Sequence, residues 1–547
     1  MTTPPTVKDK GQAGGLYLRK ATGLVREITM GQVVVFNMLP AVPGLVLAFS
    51  IFWILGAFPG VNMILGMVIT LILAAFIATA FGLLAVAMPR TGGDYIMVSR
   101  TLHPALGLVS SISLAFSGFL SIGYWAWAWT AFGLTPAFQV VGSIIHNDSL
   151  VNIGTALSGH TGMLIVGLVS IAVVVLMLAA GIKVTMKVQM ILWWIAFAGL
   201  AIMGIILLLN GQGTFIERFN AYAQTYTKQA DSYNYMIAEA AKAGMAWPGK
   251  YSLGPTLAAV GALLTFGMWS WWSVAISGEI KGGASRKQWY AILWATLIQY
   301  VIFIVMTLLL YKTIGQQFIA SVNFLSTANP AAYALPSAPY LVLLTSILPG
   351  GFLLPFLISF SFIAWLPLVH FVQFVQPIRA FFAMAFDRVM PGKLGDVNER
   401  THAPITGLVV CTIIGIICLV WAVFSPTFMT VIVIAGLFGI PPIVLVGLSA
   451  IVFPYRLKDL YQSSGAKIEI LGIPLVVISG VVSILAEILY GYVVFHYGLL
   501  PPASQGAGIV ITVAVIVISA LIYYVAKLVR RREGIDLSLM FKELPPE

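Results

Sequence analysis

The most prominent pattern along the chain is a series of long apolar runs that contain no charged side chain. Between Glu27 and Arg90, residues 28–89 contain no Asp, Glu, Lys or Arg. About 20 apolar residues are enough for one helix to cross a bilayer, so this run alone is long enough for two. Similar runs follow at residues 101–147, 149–182, 188–216, 251–278, 288–311, 313–378 and 401–455. The pattern predicts a chain that is embedded in a lipid bilayer.

Runs of this length must be helices, because unpaired peptide groups are costly in lipid and barrel strands would give shorter, alternating segments. We predict an all-α polytopic membrane protein with twelve transmembrane helices. Their approximate cores, in chain order, are residues 33–56, 62–88, 105–135, 162–181, 189–209, 256–277, 289–311, 341–372, 405–424, 428–453, 472–496 and 507–529.

Two of the predicted helices contain residues that interrupt a helix. Predicted helix 1 has Asn37, Pro40 and Pro43 near its middle, and proline removes a helical hydrogen bond and clashes with the preceding turn. A simple kink and a substrate-binding break both fit this segment. Predicted helix 6 has Gly261 and Gly267 across its centre, where small-residue packing is the alternative interpretation.

Interruptions in helices 1 and 6 are what two five-helix repeats of opposite orientation would produce. We therefore predict a 5+5 inverted repeat with discontinuous helices 1 and 6. The predicted parts are a cytoplasmic N-terminal tail (1–30), a first repeat (31–210), an extracellular loop (211–255), a second repeat (256–455), helices 11 and 12 (456–530) and a cytoplasmic C-terminal tail (531–547).

Composition agrees with this picture. Apolar residues make up 60% of the chain and charged residues 9%, against roughly 45–50% and 25% in soluble proteins, which excludes a water-soluble globular enzyme. The sequence has no zinc motif, phosphate-binding loop, nucleophile elbow or dinucleotide fingerprint, so we predict no enzyme activity, no cofactor and no metal site. Cys411 and Cys418, seven residues apart in one apolar helix, are interpreted as packing residues.

The charge distribution predicts the orientation. An inside N-terminus places 24 of the 29 Lys and Arg residues in cytoplasmic segments, so we predict a plasma-membrane protein with both termini in the cytoplasm. The net charge of +11 is spread over seven such segments, which favours lipid headgroups over nucleic acid as the partner. The outer loop at residues 210–255 carries Tyr222, Tyr226, Tyr233 and Tyr235, which fit either a lid over a vestibule or residues seeking the membrane interface.

Several segments resemble motifs of the amino acid/polyamine/organocation transporter superfamily. The segment AMPRTGGDYIMVSRTLHPALG (Ala87–Gly107) resembles its Pro-Arg-x-Gly-Gly-x-Tyr signature. SGEIKGG (Ser277–Gly283) resembles its small-Glu-x-Lys segment, and RAFFAMAFDRVMP (Arg379–Pro391) its loop after helix 8. With GIKVTMKVQ (Gly181–Gln189), the resemblance covers roughly residues 24–455.

The resemblance implies a substrate held halfway across the membrane between broken helices 1 and 6, beside helices 3 and 8, with alternating access. The Gly-rich break usual in helix 1 of this family is here Asn37-Met38-Leu39-Pro40-Ala41, which narrows the approach of a carboxylate to backbone amides. The candidate substrate-binding residues are Asn37, Met38, Leu39, Pro40, Ala41, Trp125, Thr265, Phe266, Gly267, Met268 and Trp269. Their aromatic character favours an apolar body or a cation held over rings.

Two intramembrane residues are candidates for coupling to a proton, the alternative driving ion being Na⁺. His370 titrates near physiological pH, although a structural role is the alternative, and Glu487 is a charged residue deep within a span, where packing is the alternative. A gating network at the cytoplasmic helix ends is predicted to contain Asp94, Arg100, Glu279, Arg379 and Asp387, with ordinary surface charges as the alternative.

The sequence therefore predicts a secondary permease for a small amino-acid-like or amine solute. A passive channel and a membrane receptor or scaffold that binds without transporting are the alternatives. The solute, the driving ion and the oligomeric state stay open at this point.

Overall fold

Twelve helices in residues 23–247 and 250–544, the part of the chain described by the computed structural model, are long and apolar enough to cross a membrane. The predicted all-α polytopic fold with twelve spans is confirmed. We number them span 1 to span 12, in the order Met30–Ala57, Met63–Ala87, Pro104–Ile144, His160–Ala179, Ile182–Leu209, Leu253–Ala275, Arg286–Thr313, Leu353–Phe386, Ile405–Phe424, Thr427–Arg456, Leu475–His496 and Pro502–Arg532.

Twelve crossings place both ends of the described chain on the same side of the membrane. We call this side, which carries residues 23–29 and 533–544, the terminal face. The opposite side, which carries the long connections 210–252 and 314–352, is the loop face. Most of the predicted N-terminal tail, residues 1–22, lies outside the described residues, as do residues 248–249 and 545–547.

Burial separates the central spans from those that face lipid. In spans 1 and 6, 78% of the most apolar stretch is buried, whereas the corresponding value for span 12 is 17%. Because lipid is as apolar as a leucine side chain, span 12 can expose Val, Ile and Leu without cost. The two helices with interruptions in the sequence therefore lie in the centre of the molecule.

Span 1 is broken in its middle. An α-helix runs over Met30–Met38, begins with a capping box between Thr29 and Gln32, and ends before residues 39–42. Val42 takes a left-handed conformation (φ 40°), and the helix resumes at Pro43, whose missing N–H is tolerated at a first helical position. The second part contains a π-helix at Val46–Ser50 and continues as an α-helix over Ile51–Ala57.

Span 6 is broken at the corresponding position of the second five-span set. Its α-helix covers Leu253–Gly267, and after residues 268–271 the chain continues as short 3₁₀-helices at Trp272–Ala275 and Ser277–Glu279. A Cβ atom at Gly267 would collide with the hydroxyl group of Tyr300. The predicted discontinuities in helices 1 and 6 are both present.

The eighth helix begins and ends later than predicted. Residues 341–372 do not form one helix: a short helix, Leu341–Ser346, is followed by Gly350 and Gly351, both with positive φ, and then by Leu353–Phe386. Polar residues follow the predicted end at residue 372, among them Gln373, Gln376 and Arg379. They are buried between neighbouring spans, so the helix continues through them.

The connection at residues 210–252 is folded. It contains two helices, Gln212–Thr227 and Ser232–Lys242, that pack against a third on the loop face, Gln316–Ala328. The ring of Tyr233 stacks on Phe318 at a centroid distance of 4.2 Å. Tyr222 and Tyr233 are buried in this packing, whereas Tyr226 and Tyr235 are partly exposed, so the lid stays a prediction.

Shorter elements complete the connections. Outside the spans, further helices lie at Asp94–Thr101, Asp148–Leu157, Pro330–Tyr333, Gly392–Gly395, Lys458–Ser463 and Leu537–Phe541. Span 3 contains a π-helix at Trp129–Leu134. Two short antiparallel strands, Glu469–Ile470 and Ile473–Pro474, form a hairpin before span 11.

Spans 10 and 11 approach each other through glycines. A Cβ atom at Gly480 would lie 2.5 Å from the carbonyl oxygen of Gly447, and one at Gly447 would lie 2.9 Å from the carbonyl oxygen of Gly480. Both obstacles are backbone atoms, which cannot rotate away. The contact therefore requires glycine on both helices.

We expect Gly480→Ala to lower the stability of the protein by about 1–3 kcal/mol, because the added methyl group forces the two backbones apart. The measurement is the unfolding midpoint of the purified protein in detergent. Gly491→Ala on the same span is the control, since a Cβ atom there meets nothing within 4 Å. Equal stability of both variants would show that the close approach is unimportant.

Candidate functional site

A cavity of about 150 Å³ lies beside the two breaks. We call it the central cavity. It is formed by spans 1, 3, 6, 8 and 10, and the residues that line it are Pro40, Leu114, Ser117, Ser121, Tyr124, Trp125, Thr265, Phe266, Trp269, Trp272, Gln373, Ile432, Ala435 and Gly436. The chamber therefore lies in the centre of the fold, where the resemblance placed the substrate.

Five predicted substrate-binding residues line the central cavity: Pro40, Trp125, Thr265, Phe266 and Trp269. The other six lie outside its lining: Asn37, Met38, Leu39, Ala41, Gly267 and Met268. These six are buried in the surrounding structure. The breaks thus contribute Pro40 and Trp269 to the lining, and Thr265 and Phe266 lie just before the break in span 6.

Side chains of the protein itself satisfy backbone groups that the breaks set free. The Oδ1 atom of Asn37 accepts a hydrogen bond from the backbone N–H of Ser273 at 2.8 Å, which ties span 1 to span 6. The indole N–H of Trp269 donates to the carbonyl oxygen of Thr265 at 2.7 Å. These groups already have partners, so the cavity presents side chains more than bare peptide groups to a solute.

The lining of the central cavity combines aromatic rings with a few neutral polar groups. Five rings line it, and no charged side chain does. The hydroxyl of Thr265 already donates to the carbonyl oxygen of Gly261 at 3.0 Å. Gln373 on span 8 is 8% exposed and makes no side-chain hydrogen bond within the described residues, so its amide is available to a solute.

The sequence pattern did not identify several of the lining residues, among them Gln373. A signal was present in span 3, where Leu114, Ser117, Ser121 and Tyr124 follow one another at helical spacing and so share one face. Gln373 carried no comparable signal, because it lay beyond the predicted end of helix 8.

A second cavity, of about 260 Å³, lies on the loop-face side of the central cavity. We call it the vestibule; its lining residues are Trp53, Tyr124, Ala262, Thr265, Phe266, Ile432, Val433, Gly436, Tyr490, Val494 and Leu499. The two cavities adjoin, since five residues line both: Tyr124, Thr265, Phe266, Ile432 and Gly436. Trp53 is 41% exposed at the outer edge.

Two buried ion pairs close the terminal face. Arg379 on span 8 binds Glu279 through two hydrogen bonds of 2.7 and 3.0 Å. Arg100 binds Asp387 at 2.7 and 2.9 Å, and the hydroxyl of Tyr95 also donates to Asp387 at 2.9 Å. Four of the predicted gating residues are therefore paired with one another.

Backbone hydrogen bonds join spans 1 and 6 at the same face. The amides of Glu27 and Ile28 donate to the carbonyl oxygen of Glu279 at 3.0 and 3.1 Å, and the amide of Lys281 donates to that of Ile28 at 3.0 Å. Together with the Arg379–Glu279 pair, these contacts link spans 1, 6 and 8 on the terminal-face side.

Asp94, the fifth predicted gating residue, makes no ion pair with the residues that the structure describes. Its carboxylate is 2% exposed and accepts hydrogen bonds from Ser110 at 2.6 Å and from Ser111 at 3.4 Å. Burial raises the pKa of Asp94 from its ordinary value of 3.8 to about 6, and the two serines offset only part of this effect.

The two coupling candidates have different surroundings. His370 is fully buried near the rings of Trp129 and Phe374 and lies outside the lining of both cavities. Glu487 on span 11 is 2% exposed, and neither carboxylate oxygen has a hydrogen-bond partner within the described residues. One helical turn further, Tyr490 lines the vestibule and interacts with Thr265.

The twelve spans, the two central breaks and the enclosed chamber define a multi-pass membrane protein with an internal site for a small molecule. The family model described as amino acid permease matches residues 32–540, nearly the whole chain, and the chain belongs to this family. Members are transporters, so the protein is an amino acid transporter, and the resemblance to the superfamily is confirmed. No curated protein matches the chain.

We expect Asp94→Asn to stabilise the protein at pH 7.5. The folded state holds the proton of Asp94 up to about pH 6 and the unfolded state only up to about pH 4, so the wild type loses stability as pH rises between these values. The full loss above pH 6 is roughly 3 kcal/mol. The neutral amide avoids it while still accepting from Ser110.

Thermal unfolding in detergent at pH 4 and pH 7.5 measures this effect. The variant should melt higher than the wild type at pH 7.5 and at the same temperature at pH 4. Asp396→Asn, an exposed carboxylate on the same face, is the control and should change neither value. A variant less stable than the wild type at pH 7.5 would contradict the prediction.

Proposed function

We propose that the protein is a secondary active transporter that moves an amino-acid-like or amine solute across the plasma membrane by alternating access, with the terminal face in the cytoplasm. The central cavity supports this proposal most directly. It lies midway along broken spans 1 and 6 and adjoins a vestibule toward the loop face, and two buried ion pairs lie toward the terminal face. A solute held there would be released by rearranging the contacts on one side at a time.

The lining supports a solute with an aromatic or apolar body and a polar end. The rings of Trp125, Phe266 and Trp269 offer apolar contact, and their faces attract an ammonium group by roughly 0.5 to 2 kcal/mol each. Ser117, Ser121 and Gln373 can position polar atoms by hydrogen bonds. Without a charged side chain in the lining, a net-charged solute would lose its hydration without a counter-ion.

The buried ion pairs are suited to act as the gate on the terminal face. Each joins elements that are far apart in sequence: Glu279 at the end of span 6 with Arg379 of span 8, and Arg100 with Asp387 after span 8. Separating such a pair in dry surroundings is costly, because each charge is left uncompensated. Opening therefore requires water to reach the charges as they part.

For coupling, the geometry favours Glu487 over His370. A carboxyl group without a partner inside a membrane domain is a functional candidate, and Glu487 is one helical turn from a vestibule residue. His370 is likewise one helical turn from a lining residue, Gln373, but the neighbour of Glu487, Tyr490, also interacts with Thr265, which lines both cavities. We propose that proton binding at Glu487 is linked to solute binding, with Na⁺ coupling as the alternative.

We expect Gln373→Ala to raise the KM for uptake about ten-fold, because a solute hydrogen bond inside a buried site is lost. The ligand is first found by thermal shift with the common amino acids and aromatic amines, since a ligand that binds the folded state raises its melting temperature. Uptake and counterflow into liposomes are then measured with that ligand.

Ser361→Ala is the matched control, because Ser361 is on the same span but its hydroxyl bonds its own helix at Ile358 and lies outside the cavity lining. Binding without counterflow would favour a receptor, and flux that neither saturates nor responds to exchange would favour a channel. An unchanged KM in Gln373→Ala would remove Gln373 from the site.

We expect Glu487→Gln to abolish uptake driven by a pH gradient while solute exchange continues, because the amide cannot carry the proton. His370→Gln, measured in parallel, should retain gradient-driven uptake. Exchange at equal pH on both sides confirms that each variant is folded. Gradient-driven uptake in both variants would exclude both residues as proton carriers and would favour coupling to Na⁺.

A further inference from the structure

The chain after span 12 folds back onto the terminal face. Gly534 takes a positive φ of 77°, which reverses the direction of the backbone. The side chain of Asp536 then accepts a hydrogen bond from the amide of Ser538 at 2.9 Å and begins a 3₁₀-helix, Leu537–Phe541. We call this element the tail helix. Its first and last side chains are only 1% and 8% exposed, so it is packed against the membrane domain.

The tail helix reaches the guanidinium group of Arg100. The carbonyl oxygen of Met540 accepts a hydrogen bond from Arg100 at 3.4 Å, and the ring centroid of Phe541 lies 4.9 Å from the guanidinium carbon. The ring of Tyr95 lies 5.7 Å from the same carbon. The same guanidinium binds Asp387, so the tail helix contacts one half of an ion pair that closes the terminal face.

A second contact fixes the beginning of the tail near the other half of the pair. The Nε atom of Arg530 donates to the carbonyl oxygen of Arg388 at 2.9 Å, and Arg388 directly follows Asp387. Phe541 is also held from behind by Tyr523 of span 12, at a centroid distance of 6.0 Å. The end of span 12 and the tail helix thus contact opposite sides of the Arg100–Asp387 pair.

This arrangement keeps water away from a charge pair that would have to separate. The side chains of Arg100 and Asp387 are 3% and 0% exposed. An aromatic ring over a guanidinium group attracts it more strongly when the contact is dry, and the pair itself is stronger in dry surroundings. Removing the ring of Phe541 would weaken one direct attraction and also admit water.

We propose that the tail helix is a latch that holds the Arg100–Asp387 pair closed and so disfavours opening of the central cavity toward the terminal face. The proposal rests on the proposed alternating-access function. It assigns a regulatory role to a segment outside the twelve spans, because anything that displaces Phe541 would shift the transporter toward the state open at this face.

Thiol labelling tests the latch without requiring transport. Ser273 is fully buried on the terminal-face side of the break in span 6, and its hydroxyl has no hydrogen-bond partner within the described residues, so Ser273→Cys is a conservative reporter. The two native cysteines, Cys411 and Cys418, are replaced by Ala. In vesicles, a membrane-impermeant maleimide is applied from the terminal face.

In this background we expect Phe541→Ala to raise the labelling rate about three- to ten-fold, as expected for the loss of one desolvated cation–π contact. Phe541→Tyr, which keeps the ring, should restore the slow rate. Phe541→Leu, which keeps an apolar side chain but not the ring, should remain fast. Leu539→Ala is the matched control, because Leu539 belongs to the same helix but is 56% exposed.

The possible results separate the two proposals. Equal labelling in the Phe541→Ala and parent proteins would overturn the latch, even if counterflow were normal. If Phe541→Ala labels fast but Phe541→Leu labels at the slow parent rate, the cation–π contact is not what holds the latch. Packing of an apolar side chain alone would then explain the effect. Faster labelling with the expected pattern, but without counterflow for any solute, would support the latch and contradict the transport mechanism.

Discussion

The constraint on which the rest of this structure depends is the absence of water for backbone hydrogen bonding inside a bilayer. A helix satisfies its own peptide groups, so each break in a span creates donors and acceptors that need other partners. Here side chains near the breaks of spans 1 and 6 provide these partners. Asn37 accepts a hydrogen bond from the amide of Ser273, and the indole N–H of Trp269 donates to the carbonyl oxygen of Thr265. The breaks are stable because they lie side by side in the most buried part of the fold.

This hydrogen bonding at the breaks determines which groups line the central cavity. Because neighbouring side chains occupy freed backbone groups, the chamber presents mainly aromatic rings and neutral polar groups. Recognition then depends on shape, ring contact and a few hydrogen bonds from groups such as Gln373. The Asn37 segment, which replaces the Gly-rich break usual in the family, thus has a structural task in holding spans 1 and 6 together.

The exclusion of water also determines how the charged residues at the terminal face interact. Arg100 with Asp387 and Arg379 with Glu279 are nearly removed from water and are therefore strongly coupled to each other. Pairs of this kind add little net stability but are expensive to break singly, which makes them suitable for separating two conformations. The tail helix extends this closed arrangement beyond the spans, through the ring of Phe541 over Arg100.

The sequence by itself determined the twelve spans, the interruptions at Pro40 and Gly267 and the family. These features depend on local composition and on the requirement that every peptide group in lipid has a hydrogen-bond partner. It also singled out the four charged residues that the structure joins in two buried ion pairs, since charges at helix ends are few and conspicuous. Tertiary structure alone decided that Asn37 caps Ser273, that Gln373 lines the cavity and that Phe541 covers Arg100. Each of these contacts joins residues at least 100 positions apart or depends on where a buried helix ends, so no local pattern could contain it.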